Sequence, residues 1–213
     1  MKNDDAARLR RDYEAEGLIE SEMAPDPFTQ FEIWFKGVQV VDLEEPNTFV
    51  LATADAHGRP SARAVLMKEF SEDGIVFYTN FTSRKSGELT ENPWAAATFV
   101  WLPLHRQVRF EGGVVRGDAN SAETYFSQRP RGAQIAAHAS NQSAVVASRE
   151  ELERRFNQLE NEFGSVVPRP EAWGGWRLQP AAVEFWQGRP DRFHDRLRYR
   201  LVNGGWVLER LAP

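Results

Sequence analysis

Cysteine is absent from the 213 residues. That excludes disulfides, thiolate nucleophiles, Cys-ligated zinc and iron–sulfur clusters. Histidine is scarce, with only His57, His105, His138 and His194. None has an HxxxH or HExxH partner, so no metal site is expected. No apolar run approaches the roughly 20 residues of a membrane-spanning helix. The charged opening Met1-Lys2-Asn3-Asp4-Asp5 lacks the hydrophobic stretch of a secretory signal. A cytoplasmic chain with no membrane partner is therefore expected. Positive charge is in deficit, at a formal net −5, which argues against a general nucleic-acid binder. GxGxxG, GxxxxGK[ST] and GxSxG are also missing, which removes the Rossmann, P-loop and serine-hydrolase readings.

Large rings are plentiful, with seven tryptophans and fourteen phenylalanines, enough for a substantial core without metal or disulfide staples. Residues 1–24 are charged and read as a short helix or mobile arm. Asp26-Pro27 opens a helix with an apolar stripe. Strand signals follow at 48–54, 61–68 and 74–79, separated by turns, then a short helix at 83–92 stopped by Pro93. Strands at 94–102 and 107–116 come next, the second with a bulge or bend at Gly112-Gly113. A helical insertion spans about 120–164, with caps expected at Asn120/Glu123 and Ser148/Glu151. Strands return at 176–178, 183–187, 193–202 and 206–211, the last two joined by Asn203-Gly204-Gly205. Residues 25–213 read as a single α+β domain, mainly β, with an antiparallel barrel core.

Basic residues cluster locally despite the acidic total. In Trp186-Gln187-Gly188-Arg189-Pro190-Asp191-Arg192-Phe193-His194-Asp195-Arg196, period-two spacing would put Arg192, His194, Arg196, Arg198 and Arg200 on one strand face. Like charges so placed repel, and a jointly bound anion would explain them. Arg63 and Lys68 bracket an apolar run; they face opposite sides of a regular strand, or snorkel to water at its ends. Ser83-Arg84-Lys85 puts cations at a helix N-terminus, against the dipole. Either a phosphate sits there, or this is an ordinary cap with solvated side chains. Tyr125 and Arg129 share a helical face and could hold a phosphate, or Arg129 simply stacks on a ring. Asn141-Gln142-Ser143 is a polar patch between helices.

These clusters, in this order, together with Phe77-Tyr78-Thr79-Asn80 and Trp173-Gly174-Gly175, resemble the pyridoxine (pyridoxamine) 5′-phosphate oxidase family over nearly the whole chain. The resemblance implies an FMN-binding split β-barrel with peripheral helices, and a homodimer with FMN at the interface. It implies FMN contacts from Arg63, Ala64, Val65, Leu66, Met67, Lys68, Tyr78, Thr79, Arg84, Lys85, Gln107, Gln142, Ser143, Trp186 and Arg196. Substrate contacts would come from Arg10, Arg11, Tyr13, Lys68, Tyr125, Arg129, Arg192 and His194, with Arg192 and His194 over the reacting ring as the catalytic pair. The implied reaction converts pyridoxine 5′-phosphate or pyridoxamine 5′-phosphate to pyridoxal 5′-phosphate, by hydride transfer to flavin N5 with O2 reduced to H2O2. The alternatives are a split-barrel flavin oxidoreductase for another substrate, and a non-catalytic FMN or pyridoxal-phosphate binding protein. One departure is Ala133, where the family usually has a serine that helps bind the substrate phosphate. Losing one hydrogen bond to a charged group costs about 1.5–3 kcal/mol, so weaker substrate binding or a local replacement is expected.

Overall fold

The computed structural model describes residues 17–41 and 43–213. Arg10, Arg11 and Tyr13, expected in an arm over the site, lie outside the described residues. Helix α1 (Pro27–Gln39) begins where the sequence indicates. Asp26 Oδ1 accepts from the N–H groups of Phe28 and Thr29, each at 2.9 Å, and Pro27 fills a first position that needs no N–H. Gln30, Phe31, Trp34 and Val38 are its buried face, the three-to-four spacing of an amphipathic helix.

The strands are β1 (Thr48–Ala54), β2 (Pro60–Leu66), β3 (Glu69–Ser71), β4 (Gly74–Asn80), β5 (Trp94–Trp101), β6 (Arg106–Arg116), β7 (Trp173–Gln187), β8 (Asp195–Val202) and β9 (Gly205–Leu211). They form one sheet in the order β2-β1-β5-β6-β7-β4-β3, with β8 pairing β7 and β9. The remaining helices are α2 (Arg84–Glu91), α3 (Ala119–Ser127), α4 (Arg131–Ala139) and α5 (Arg149–Glu162). Two compact units interleave segments distant in sequence: 17–46, 97–110 and 180–213 in one, 47–96 and 111–179 in the other.

In the first unit, Phe31 packs on Phe99, Phe110 and Trp101, while Trp34 meets Phe185 edge-on. Tyr199 is buried and its hydroxyl donates to the Ala24 carbonyl at 2.6 Å. In the second, Phe49 packs on Phe77. There Ala122, Phe126, Ile135, Val167 and Trp173 form a core, with Phe156, Leu159 and Phe163 against it.

Several sequence expectations are corrected. Residues 176–178 and 183–187 belong to one strand, β7. Pro180 falls between two ladders: β4 pairs β7 up to Leu178, and β8 pairs it from Ala182, so neither of these needs its missing N–H. β6 runs unbroken through Gly112-Gly113, where a bulge or bend was expected, and its alternation stays in phase, so this strand carries no extra residue there. Helix α3 is capped by Asp118, whose carboxylate accepts from Ser121 N–H, and Asn120 lies inside it. The Ser148 cap is where expected, accepting from Glu151 N–H at 3.3 Å. β8 begins at Asp195, because residues 190–192 form a tight turn with Asp191 and Arg192 at φ 55° and 60°. Arg192 and His194 are therefore off the strand, and the shared period-two face starts at Arg196.

Gly174 is fixed by a close approach. A Cβ there would lie 2.5 Å from Phe81 Cζ, and that ring is covered by the Arg116 guanidinium, 3.7 Å from its centroid. Gly174→Ala should destabilise the chain by about 1–3 kcal/mol through overpacking. Calorimetry should show Tm falling by several degrees, at roughly 2–4 °C per kcal/mol. An unchanged Tm would mean that Phe81 can rotate away freely.

Candidate active site

A cavity of about 590 Å³ opens in the second unit. Arg63, Ala64, Val65 and Leu66 of β2 line it with Lys68, and Tyr78, Thr79 and Asn80 of β4 add a second wall. Lys85, Tyr125, Arg129, Ala133, Ala136, Ala137, Ser140, Gln142 and Trp173 complete it. Lys68 joins Arg63 in the same cavity because β2 stops at Leu66, so the odd spacing no longer sets opposite faces. Met67 does not line the cavity; it is buried, and its N–H and carbonyl are both held by Asn47. Four cations and no carboxylate make up the charged lining.

Two cationic groupings are distinct. Lys85 is buried, and its Nζ donates to Gln142 Oε1 at 2.9 Å, Thr79 Oγ1 at 3.1 Å and Ser83 Oγ at 3.4 Å. Burial, then the Arg63 charge, push its pKa down to about 8, against the opposing pull of Glu88. Arg84 lines an adjoining cleft with Gln142 and Ser143. Its N–H donates to Ser143 Oγ at 3.2 Å, so a distant loop, not Ser83, caps α2. Arg84 Nε meets Glu88 one turn on at 2.8 Å, which offsets the unfavourable placement at the helix start.

The second grouping is Lys68, Tyr125 and Arg129. Tyr78 stacks on Tyr125 (centroids 4.6 Å) and on Trp173 (5.2 Å). Arg129 lies 4.9 Å from the Trp173 centroid and 5.5 Å from that of Phe126, so the arginine does stack on rings. Yet its Nη1 is buried with no hydrogen-bond partner, and burial pulls its pKa down. Tyr78 donates to Glu69 Oε1 at 2.5 Å; burial and then this bond raise its pKa.

In the first unit, Gln107, Trp186 and Arg196 line a recess with Thr98, Arg109, Glu184 and Pro213. Arg196 Nε bonds Glu184 Oε1 at 2.7 Å, and Arg198 and Arg200 both bond Glu209 of β9. The anions that explain this arginine face are thus carboxylates on neighbouring strands. Arg192 is exposed and His194 half-buried; neither lines any of these recesses. His194 Nδ1 accepts the Arg189 backbone N–H at 3.0 Å, and its ring lies 4.6 Å from that of Trp186. The neutral ring therefore carries its proton on Nε2, and burial followed by the Arg192 charge lowers its pKa.

Sequence reasoning did not place Trp173, Ser140, Ala136 or Ala137 in the lining, and gave neither Glu88 nor Glu184 a role of its own. Glu88 could have been found from its four-residue offset to Arg84. Among the described residues, no cluster of His, Asp and Glu could hold a metal, and no helix is long and apolar enough to cross a membrane.

Residues 8–162 match the family model described as pyridoxamine 5′-phosphate oxidase. Residues 173–213 match the one described as pyridoxine 5′-phosphate oxidase C-terminal dimerisation region. The chain is 52% identical over 210 residues to a pyridoxine/pyridoxamine 5′-phosphate oxidase of Rubrobacter xylanophilus, covering 98% of this chain and 97% of that one. It is 51% identical over 208 residues to the same-named protein of Paraburkholderia phymatum, covering 97% and 98%. Among solved structures, PhzG from Burkholderia lata, in complex with tetrahydrophenazine-1-carboxylic acid, aligns with TM-score 0.88 at 31% identity. That alignment covers 93% of this chain and 99% of the other.

Proposed function

The chain belongs to the pyridoxamine 5′-phosphate oxidase family, and from that membership we propose that it binds FMN and oxidises pyridoxine 5′-phosphate or pyridoxamine 5′-phosphate to pyridoxal 5′-phosphate, with O2 as the final acceptor. Its fold is the α+β split barrel of that family. The observation that carries the proposal is Arg129 Nη1, a buried donor without a partner, in a cavity lined by four cations and no carboxylate. Such a donor set suits phosphorylated ligands.

In this proposal Arg63, Lys85, Thr79 and Gln142, with Arg84 and Ser143, hold the FMN phosphate, and the β2 segment Ala64–Leu66 borders the flavin. FMN, when bound, supplies the hydride acceptor and the reactivity with O2 that yields H2O2. Lys68, Tyr125 and Arg129 hold the substrate phosphate. The stacked Tyr78, Tyr125 and Trp173 rings exclude water along one wall. Arg192, which lines none of these recesses of its own chain, would position the substrate ring across the interface of the proposed homodimer. His194 orients the substrate; with Nδ1 already accepting the Arg189 N–H, it is poorly placed to act as a base. A homodimer is part of the proposal, supported by the match to a dimerisation region, with Gln107, Trp186 and Arg196 as further FMN contacts.

The direct test adds pyridoxine 5′-phosphate aerobically to the purified yellow protein and measures pyridoxal 5′-phosphate and H2O2 in equal amounts. One observation favours a flavin oxidoreductase for a different substrate instead: Ala133, Ala136 and Ala137 make part of the cavity wall small and apolar. In that case FMN binds, but neither phosphorylated substrate is turned over. Arg192→Ala and His194→Ala should each slow flavin reduction in a single turnover; wild-type rates in both would remove them from the site.

A further inference from the structure

Glu88 is absent from every set of expected site residues, yet it is the most heavily hydrogen-bonded carboxylate beside the cavity. It sits on α2 with a side chain only 6% exposed. Oε2 accepts from Thr53 Oγ1 at 2.5 Å, Ser61 Oγ at 2.6 Å and Arg63 Nη2 at 3.2 Å. Oε1 accepts from Arg84 Nε at 2.8 Å. Thr53 and Ser61 face each other across β1 and β2, and each hydroxyl in turn accepts from Arg63, Thr53 at 2.5 Å from Nη1 and Ser61 from Nη2. Arg63 also reaches the Leu51 carbonyl at 3.2 Å. One buried carboxylate thus holds two guanidinium groups from different elements, one lining the cavity and the other its adjoining cleft.

We propose that Glu88 is the positioning residue of the flavin-phosphate subsite: its two oxygens set the spacing and direction of Arg63 and Arg84, so that their remaining N–H groups converge on one phosphate. This rests on the function proposed above. The physical reason is a balance between two effects. A carboxylate near a phosphate repels it, which alone would weaken binding. Freeing two arginines costs more, because each must then lose rotamer freedom when the ligand arrives, and their fork geometry is lost. Positioning wins, because the carboxylate is already neutralised by two guanidinium groups and lines neither the cavity nor its adjoining cleft.

The experiment titrates full-length protein, stripped of flavin, with FMN and with riboflavin, which lacks the phosphate. Glu88→Ala should weaken FMN roughly 10- to 100-fold, the size of a lost charged hydrogen bond, and leave riboflavin unchanged. Glu88→Gln, which keeps the shape but not both acceptor roles, should fall between. Tighter FMN binding in either variant would make Glu88 an electrostatic brake and overturn the proposal. Equal losses for FMN and riboflavin would reduce it to a structural role, with the same consequence. Wild-type protein that binds riboflavin as tightly as FMN would instead refute the phosphate subsite itself. If Glu88→Ala does not fold, Ser61→Ala removes one of the relayed bonds and should give a smaller FMN-only loss; no loss at all would count against Glu88.

Discussion

Arg129→Met should raise KM for pyridoxamine 5′-phosphate roughly 10- to 150-fold while making the ligand-free protein no less stable than its parent. The first half follows from the unpartnered Nη1 in the cavity: a charged hydrogen bond to a phosphate is worth about 1.5–3 kcal/mol, and every 1.4 kcal/mol is about tenfold in affinity. The second half follows from the same atom. Without ligand, a buried guanidinium donor is left unsatisfied, a cost that methionine does not carry. Methionine also keeps the volume and the contact with Trp173 and Phe126, so no void opens. Steady-state kinetics and a thermal melt read both halves. Pyridoxamine without its phosphate is the control, because its weak turnover should be indifferent to the substitution. A KM that stays at the parent value would place the substrate phosphate elsewhere.

FMN affinity should decline above pH 8, by up to tenfold per pH unit. In the ligand-free protein, burial and then the Arg63 charge push the Lys85 pKa down to about 8. A bound phosphate favours the charged amine and raises that value, so binding takes up a proton once the free amine has lost it. Below pH 8 this group adds no slope. Stability of the ligand-free fold moves in the opposite sense. The unfolded lysine keeps its ordinary pKa of 10.5, so between 8 and 10.5 the unfolded chain holds more protons and the fold gains stability as pH rises. Fluorescence titration from pH 7 to 10 measures the first slope, and melts of the stripped protein measure the second. Lys85→Met should flatten both. A dissociation constant independent of pH across that range would mean that Lys85 does not meet the phosphate.

Much of this fold was legible because hairpin spacing and helix caps are local signals. Asp26-Pro27 and Ser148/Glu151 marked helix starts correctly, since both rest on contacts within four residues. Most of the errors came where something beyond the residue pattern decides. Pro180 reads as a break, but sits between two ladders of one strand. The 192–200 alternation suggested a strand from Arg192, yet the tight turn at 190–192 delays it to Asp195. The arginine face seemed to call for a bound anion; Glu184 and Glu209, distant in sequence or on the next strand, already supply it. Site residues that carry charge into the cavity were visible as motifs. Glu88 offered only its four-residue offset to Arg84, and the Thr53–Ser61 pair no signal, because their shared role appears only once β1, β2 and α2 meet.

The cation-lined cavity has a consequence outside catalysis. Holding Arg63, Lys68, Lys85 and Arg129 around a space with no acid in its lining costs the empty fold free energy, and ligands recover it. A ligand present at a hundred times its dissociation constant adds about 2.7 kcal/mol by mass action, and differences of 1–2 kcal/mol change how much of a protein survives cellular quality control. In a cell short of flavin, newly made chains would stay empty longer and be degraded sooner. Under the function proposed above, the steady amount of this protein would then follow the supply of FMN.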